Sequence, residues 1–336
     1  MNFYIWQRAH WQNFLAHYDK PRLLEPLTQA HFMLGRLSGR INMLSAEWRA
    51  EILHIVRHTE AIASAKIDDP QNKPHQAHAL AEIWSEATAL QAKNLSLTRL
   101  NAWHKKISPK GGSPRTGEAS IGKDENEIFA APPLPQAGKE LDSFLERLNE
   151  GADKGSPLLR ASAAHINFLT IRPYNNGNGR LARAVTALAL YPSASNDAQE
   201  YTPVVSISAQ LLKNRAEYFE LLSEVQTARR NLGVWHEWFI TQYTAALQDS
   251  HDLLNIVFRR AEFWQKTLLL NFNSRQTSLI HSMLLGRGAV STKIYAAENS
   301  LGTASAFREL NELKNAGLLC PEGKGCTVQY RLPKDS

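Results

Sequence analysis

Residues 174–183 read YNNGNGRLAR, and their types and spacing suit the capture of an anion. Gly177 and Gly179 flank Asn178, and glycine lets backbone N–H groups approach a ligand closely. A helix is expected to begin directly after them, so its free N–H groups and positive dipole end face the loop. Arg180 and Arg183 stand three apart, on one face of that helix, with forked donors. Asn178 adds a side-chain amide. A di- or triphosphate fits this set. A helix-entry turn whose arginines are ion-paired elsewhere fits it too, and NGNGR alone leaves both open. Upstream stands Arg172, which Pro173 keeps from continuing a helix. A guanidinium stays protonated and has no lone pair, so it cannot take a proton from a hydroxyl.

The elements that must position these residues are mainly helical. The chain has 336 residues, 43% hydrophobic and 21% charged, enough for two or three domains with a sizeable core. A net charge of +6 with pI 9.2 is compatible with a polyanion partner and equally with a solvated basic surface. Cys320 and Cys326 match no zinc spacing and are expected to be reduced thiols. With no signal-type segment and no apolar run of membrane length, a cytoplasmic protein without membrane contact is expected. Apolar residues recur at three and four over LLEPLTQAHFMLGRLSGRINML and SAEWRAEILHIVRHTEAIASAKI, the latter with Ser45 as N-cap. Residues 79–107 form a third helical zone. The Gly-, Pro- and Ser-rich stretch 108–138 breaks the pattern, as a mobile surface loop or as a flap over a site, with EIFA as one short strand. Helices resume through KELDSFLERLNE, SPLLRASAAHINFLTI and RLARAVTALALYP. The tail reads helix, a helix from Ser291, a helix ending at Gly317, then two strands, which is winged-helix order. From Leu268 it carries eight Lys/Arg against five Asp/Glu. That is weak for DNA, particularly with Glu309 and Glu312 on its third helix, so DNA and protein partners both stay open.

The run 164–183 resembles the signature of Fic (Fido) proteins: His-Pro-Phe, a free residue, Asp or Glu, Gly-Asn-Gly-Arg, two free residues, Arg. YIWQRAHWQNF resembles the N-terminal helical domain attached to many bacterial Fic proteins, and TEAIASAKIDD resembles their inhibitory helix. The break at 108–138 sits where the family has its flap, and SISAQLLKNRAEYFELL and the tail also match. The resemblance implies a mainly α fold. An N-terminal helical domain would cover 1–95 with the inhibitory-like helix at about 46–68. A Fic core would cover 96–262 with motif 165–183, and a winged helix 268–334. It implies a protein adenylyltransferase that moves AMP from ATP to a protein hydroxyl, with the target aligned on the flap by strand addition. Carried over, the anion hole is Gly177, Asn178 and Gly179, and the phosphate arginines are Arg180 and Arg183.

Two positions depart from the family. Arg172 stands where the motif histidine would be the general base, and Asn176 where the acid would hold Mg²⁺. General-base catalysis contributes roughly 10²–10⁴-fold, and a neutral amide holds Mg²⁺ weakly. Arg172 could replace the metal in neutralising phosphate. His165 is expected to pack rather than react. In the inhibitory-like helix Ser64 is followed by Asp68, one methylene shorter than the family's Glu. The Asp68–Arg183 pair is therefore expected to be loose or absent, or Asp68 a solvated helix stop. The function expected is nucleotide or phosphate binding with impaired catalysis, regulatory through the tail, with a homodimer or a DNA or protein partner open. The alternatives are a transferase with an altered mechanism and a DNA-binding regulator without nucleotide.

Overall fold

The computed structural model describes residues 3–12, 20–69, 74–89, 94–108, 110–122, 128–150, 156–191, 204–268, 270–284 and 286–333. Two compact units emerge, Met1–His251 and Asp252–Ser336. The first contains α1 (Lys20–Asn42), α2 (Ala46–Asp68), α3 (Pro74–Ala87), α4 (Leu97–Ile107), α5 (Leu134–Glu150), α6 (Pro157–Ile171), α7 (Asn178–Leu190), α8 (Ile207–Lys213) and α9 (Arg215–Gln226). Its one hairpin among the described residues pairs β1 (Ser120–Ile121) antiparallel with β2 (Phe129–Ala130). The long α10 (Leu232–Leu268) contributes to both units. No helix among the described residues is long and apolar enough to cross a membrane.

Helix α6 is the axis of the first unit. Pro157 occupies its first turn, where a missing N–H costs nothing, and the Ser156 hydroxyl accepts the Leu158 N–H at 3.3 Å. From Leu158 to Ile171 every residue except Arg160 is buried. Helices α6 and α7 both bury short side chains, Ala161, Ala163 and Ala164 on the first and Ala182, Ala184, Ala187 and Ala189 on the second. Short side chains let the two helices approach closely, so the loop between them has little freedom. Trp235 of α10 closes another side and donates its indole N–H to the Ser162 carbonyl at 2.9 Å.

Several expectations need revision. The zone 79–107 is two helices, α3 and α4, and Ser96 caps the second by accepting the Arg99 N–H at 3.2 Å. Ser45 precedes α2 in extended backbone, but its hydroxyl accepts no N–H of that helix. EIFA contributes β2 at Phe129–Ala130, and a partner strand at Ser120–Ile121 went unread because two residues carry no period. Glu127, and residues 109 and 123–126 of the flap stretch, lie outside the described residues.

The second unit holds α11 (Ser274–Leu284), α12 (Thr292–Glu298), α13 (Thr303–Asn315) and the antiparallel strands β3 (Val290–Ser291), β4 (Cys320–Glu322) and β5 (Gln329–Arg331), in the order β3-β5-β4. Ser291 caps α12 by accepting the Ile294 N–H at 3.3 Å. Past α13, Gly317 takes φ 75°, a helix stop that suits glycine. Strand β3 was not anticipated. The acids of α13 turn out to be engaged within the unit. Glu309 is buried, pairs with Arg275 and accepts the Tyr295 hydroxyl at 2.7 Å, and Glu312 accepts from Gln276 at 2.7 Å.

Candidate nucleotide site

Helix α6 stops at Ile171, and Arg172 takes left-handed backbone at φ 48°, ψ 63°. That conformation costs a residue with a Cβ roughly 1–2 kcal/mol, so neighbouring contacts must impose it. Arg115 supplies them. Its N–H donates to the Pro173 carbonyl at 2.8 Å and its Nε to the Arg172 carbonyl at 3.0 Å. Its terminal nitrogens donate to the carbonyls of Gly117, at 2.8 Å, and Pro132. One buried guanidinium thus ties residue 172 to both approaches of the β1–β2 hairpin. The Arg172 side chain is half-buried, and its Nε meets no partner among the described residues. Burial, then the Arg115 charge, lower its pKa. It remains a group without an acceptor lone pair.

The loop that follows is closed by Asn178, whose side chain was expected to face a ligand and here holds the turn. Its Nδ2 donates to the Tyr174 carbonyl at 2.6 Å and its Oδ1 accepts the Tyr174 N–H at 3.1 Å. The amide thus turns back to hold the loop, with its oxygen and one of its two N–H groups on Tyr174. Helix α7 also starts earlier than expected, at Asn178, with Gly177 as N-cap at φ 72°. Leu181 is the first α7 residue whose N–H reaches a carbonyl in this turn, that of Gly177. The amides before it point out of the helix end, as in any α-helix. His104 of α4 fixes the other side of the loop. Its Nδ1 accepts the Gly112 N–H at 3.1 Å, so Nε2 carries the proton and donates to the Asn176 carbonyl at 3.2 Å. The ring lies 4.0 Å from that of Tyr174. Asn176 itself is exposed.

At the helix end the two arginines converge on one carboxylate. Arg183 is 1% exposed. Its Nε donates to the Ser64 hydroxyl at 2.7 Å, and one terminal nitrogen donates to the Ser64 carbonyl at 2.7 Å and to Asp68 at 2.9 Å. The other terminal nitrogen has no partner among the described residues. Burial opposes the charge of Arg183, but Asp68 and its other neighbours outweigh it, and the net pKa is raised. Arg180 approaches Asp68 at 3.6 Å and donates to Gln76 and to the Ile107 carbonyl, each at 3.3 Å. The Asp68–Arg183 pair, expected to be loose or absent, is therefore formed. The missing methylene is made up by contact with glycine: a Cβ at Gly179 would stand 2.9 Å from Asp68 Oδ1.

Behind this pair lies a buried polar frame. Glu60, two turns before Asp68 on α2, is 3% exposed. It accepts the Ser206 hydroxyl at 2.8 Å, the Ser208 N–H at 2.9 Å and the Ser208 hydroxyl, so α2 is fastened to the start of α8. Burial, against these bonds, raises its pKa. His165 is fully buried. The Thr186 hydroxyl gives its proton to the Ala182 carbonyl, so it accepts from His165 Nδ1 at 2.8 Å. His165 Nε2 must then accept the Tyr218 hydroxyl at 2.8 Å. Burial, then the Arg183 charge, hold its pKa down to about 3, so the ring is a neutral brace.

Family profiles match two segments of the chain. The Fic/DOC family matches residues 94–190, which include α4, the hairpin, α5, α6, the loop and both arginines. Residues 94–190 are a Fic-family domain. A domain of unknown function, DUF4172, matches residues 4–77. The chain is similar to a solved Fic family protein from Desulfovibrio desulfuricans G20 at 17% identity and TM-score 0.59, over 94% of this chain and 97% of that one. It is also similar to a Fic-domain-containing signaling protein from Bacteroides thetaiotaomicron VPI-5482 at 15% identity and TM-score 0.52, over 68% of this chain and 96% of that one. At these identities the likeness speaks for the fold.

The loop, Arg180 and Arg183 come from this Fic-family domain, whereas Glu60, Ser64 and Asp68 come from the segment matched to DUF4172. The donors around the loop do not fit a protein-held Mg²⁺. Asn176 is neutral, Asp68 is engaged by arginine, and no group of three acidic, His or Cys side chains gathers among the described residues. Sequence reading missed Arg115, His104 and Glu60. The first lies in an aperiodic stretch, and the others sit on helices where nothing distinguishes them from surface polar residues. A lone arginine inside SPRTGE was the single available cue.

Proposed function

We propose that this Fic-family protein binds a nucleotide through its phosphates at the N-terminus of α7, and that transfer of the nucleotidyl group to a protein hydroxyl is impaired. The observation that carries the reading is the seat of Asp68. A carboxylate already rests between Arg183, Arg180 and Gly179, on the open end of a helix. Such a place favours negative charge through helix N–H groups and forked donors together. ATP is the nucleotide implied by the family resemblance. The amides of Gly177, Asn178 and Gly179 would meet one phosphate, and Arg180 and Arg183 the outer ones once Asp68 withdraws. Arg172, half-buried with a free Nε, would add a positive charge where Asn176 offers Mg²⁺ no anion. The same residue leaves an incoming hydroxyl without a base. A target protein would align along the hairpin by strand addition.

Calorimetric titration of the full chain with ATP, with and without Mg²⁺, tests this directly. The Asp68→Ala variant should bind at least about tenfold more tightly than the natural chain, the scale of one charge-assisted contact exchanged. Mg²⁺ should change the affinity little in either. Absence of ATP binding by both proteins, with and without the metal, overturns the reading.

A further inference from the structure

The segment matched to DUF4172 reaches the candidate site at a second place, far along the chain from Asp68. Tyr4 is 7% exposed, and its ring meets that of Phe129 on β2 edge-on, with centroids 5.4 Å apart. Trp6 stacks on Tyr4 at 6.1 Å and donates its indole N–H to the Ala130 carbonyl at 2.7 Å. The 3-10 turn Ile5–Gln7 between them is closed on itself, since Gln7 Oε1 accepts the Tyr4 N–H at 2.7 Å. The segment is tied down again at Gln12. Its amide donates to the Glu140 carbonyl at 3.1 Å, and its own carbonyl accepts from Asn167 at 3.2 Å.

The direction of the Ala130 carbonyl gives these contacts their meaning. Phe129 pairs with Ile121, and the Ala131 N–H donates to the Ala119 carbonyl at 2.9 Å. Polar groups alternate sides along a strand, so Ala130 presents its carbonyl away from β1. The Trp6 indole therefore caps the outer edge of β2, where an extended segment would otherwise find an acceptor. By the same alternation Ser120 turns its backbone groups away from β2, and Ser120 and Ile121 are both exposed. One edge of the hairpin is sealed and, among the described residues, the other is open.

We infer that Tyr4–Gln12 is a strap that positions the β1–β2 hairpin through Trp6, closing the β2 edge and leaving Ser120–Gly122 as the edge offered to an extended partner. Trp6 is a positioning residue: it acts on the hairpin and touches no reacting atom. What docks on the open edge rests on the proposed function, whereas the strap does not. One consequence is that the DUF4172 segment grips the Fic domain at the helix end proposed to take the anion, at the hairpin beside it and, through Gln12, at α5 and α6.

Amide hydrogen exchange read by mass spectrometry on the full chain tests the strap, using Trp6→Phe, which keeps a ring and loses the donor, and Trp6→Ala. Peptides covering 119–121 and 128–131 should exchange about fivefold to tenfold faster in Trp6→Phe, as expected for the loss of one half-buried hydrogen bond. Exchange in α6 and α7, the melting temperature to within a few degrees, and the ATP affinity should match the natural chain. Unchanged hairpin exchange in Trp6→Ala overturns the inference, as does acceleration spread equally over α6 and α7. A chain that binds no ATP at all would refute the proposed function and leave the exchange result standing on its own.

Discussion

The two halves of the loop between α6 and α7 are both firmly held but differ in their chemistry. The half at the helix end gathers groups able to hold an anion on a braced frame: Arg183 is held by Ser64 and Asp68, Tyr218 by His165, and α2 is fastened to α8 through Glu60. The half at the end of α6 is held as firmly but offers no proton acceptor at residue 172. Arg115 holds residue 172 in a left-handed turn, and the side chain there cannot accept a proton. Backbone construction and side-chain chemistry are thus separable. On the proposed function, a loop can seat an anion without carrying a proton acceptor.

The brace behind the anion half can be broken one piece at a time. The largest effect is expected from Glu60→Ala. It strands the Ser206 and Ser208 donors in the interior and unfastens α2 from α8, at a cost of about 3 kcal/mol. Urea unfolding measures this, and a loss below about 1 kcal/mol would show that α2 is held by its apolar face alone. A smaller effect comes through pH. His165 is held neutral to about pH 3 in the folded chain but titrates near 6.5 when unfolded. The folded-state pKa is the lower one, so the unfolded chain binds the extra proton. Stability is full above pH 6.5 and falls as the pH drops toward 3. Between pH 7 and pH 5 this one residue should remove about 2 kcal/mol. The His165→Gln variant should lose that part of the slope and keep whatever His104, whose pKa burial also lowers, contributes in the same direction. Equal slopes in the two proteins would mean that His165 is not the buried neutral brace described above.

The anion half was legible in the sequence because its chemistry is local. Arg180, Arg183, Gly177 and Gly179 lie within seven residues, and a helix start can be read from them. What failed was the choice between two uses of one amide: nothing in NGNGR says whether Asn178 turns to a ligand or back to Tyr174, and the turn took it. The Asp68 pair was misjudged for a related reason. Side-chain length was weighed, but the space opened by Gly179 was not visible. The supporting residues were out of reach because their partners are remote in sequence. Arg115 meets residue 172, His104 meets residue 176, and Glu60 meets residue 208, with no period or motif to announce the pairing. The helices themselves were readable from their three-and-four spacing, and the two-residue strands were too short to leave a pattern.

The sharpest test of the contrast between the two halves is transfer of label from radiolabelled ATP to protein, comparing the natural chain with the Arg172→His, Asn176→Asp double variant. The account predicts label in the variant at a rate at least about 10²-fold above the natural chain, the return of a general base, with Arg115 still aiming residue 172. Brisk labelling by the natural chain, or rates that do not differ between the two proteins, would contradict it.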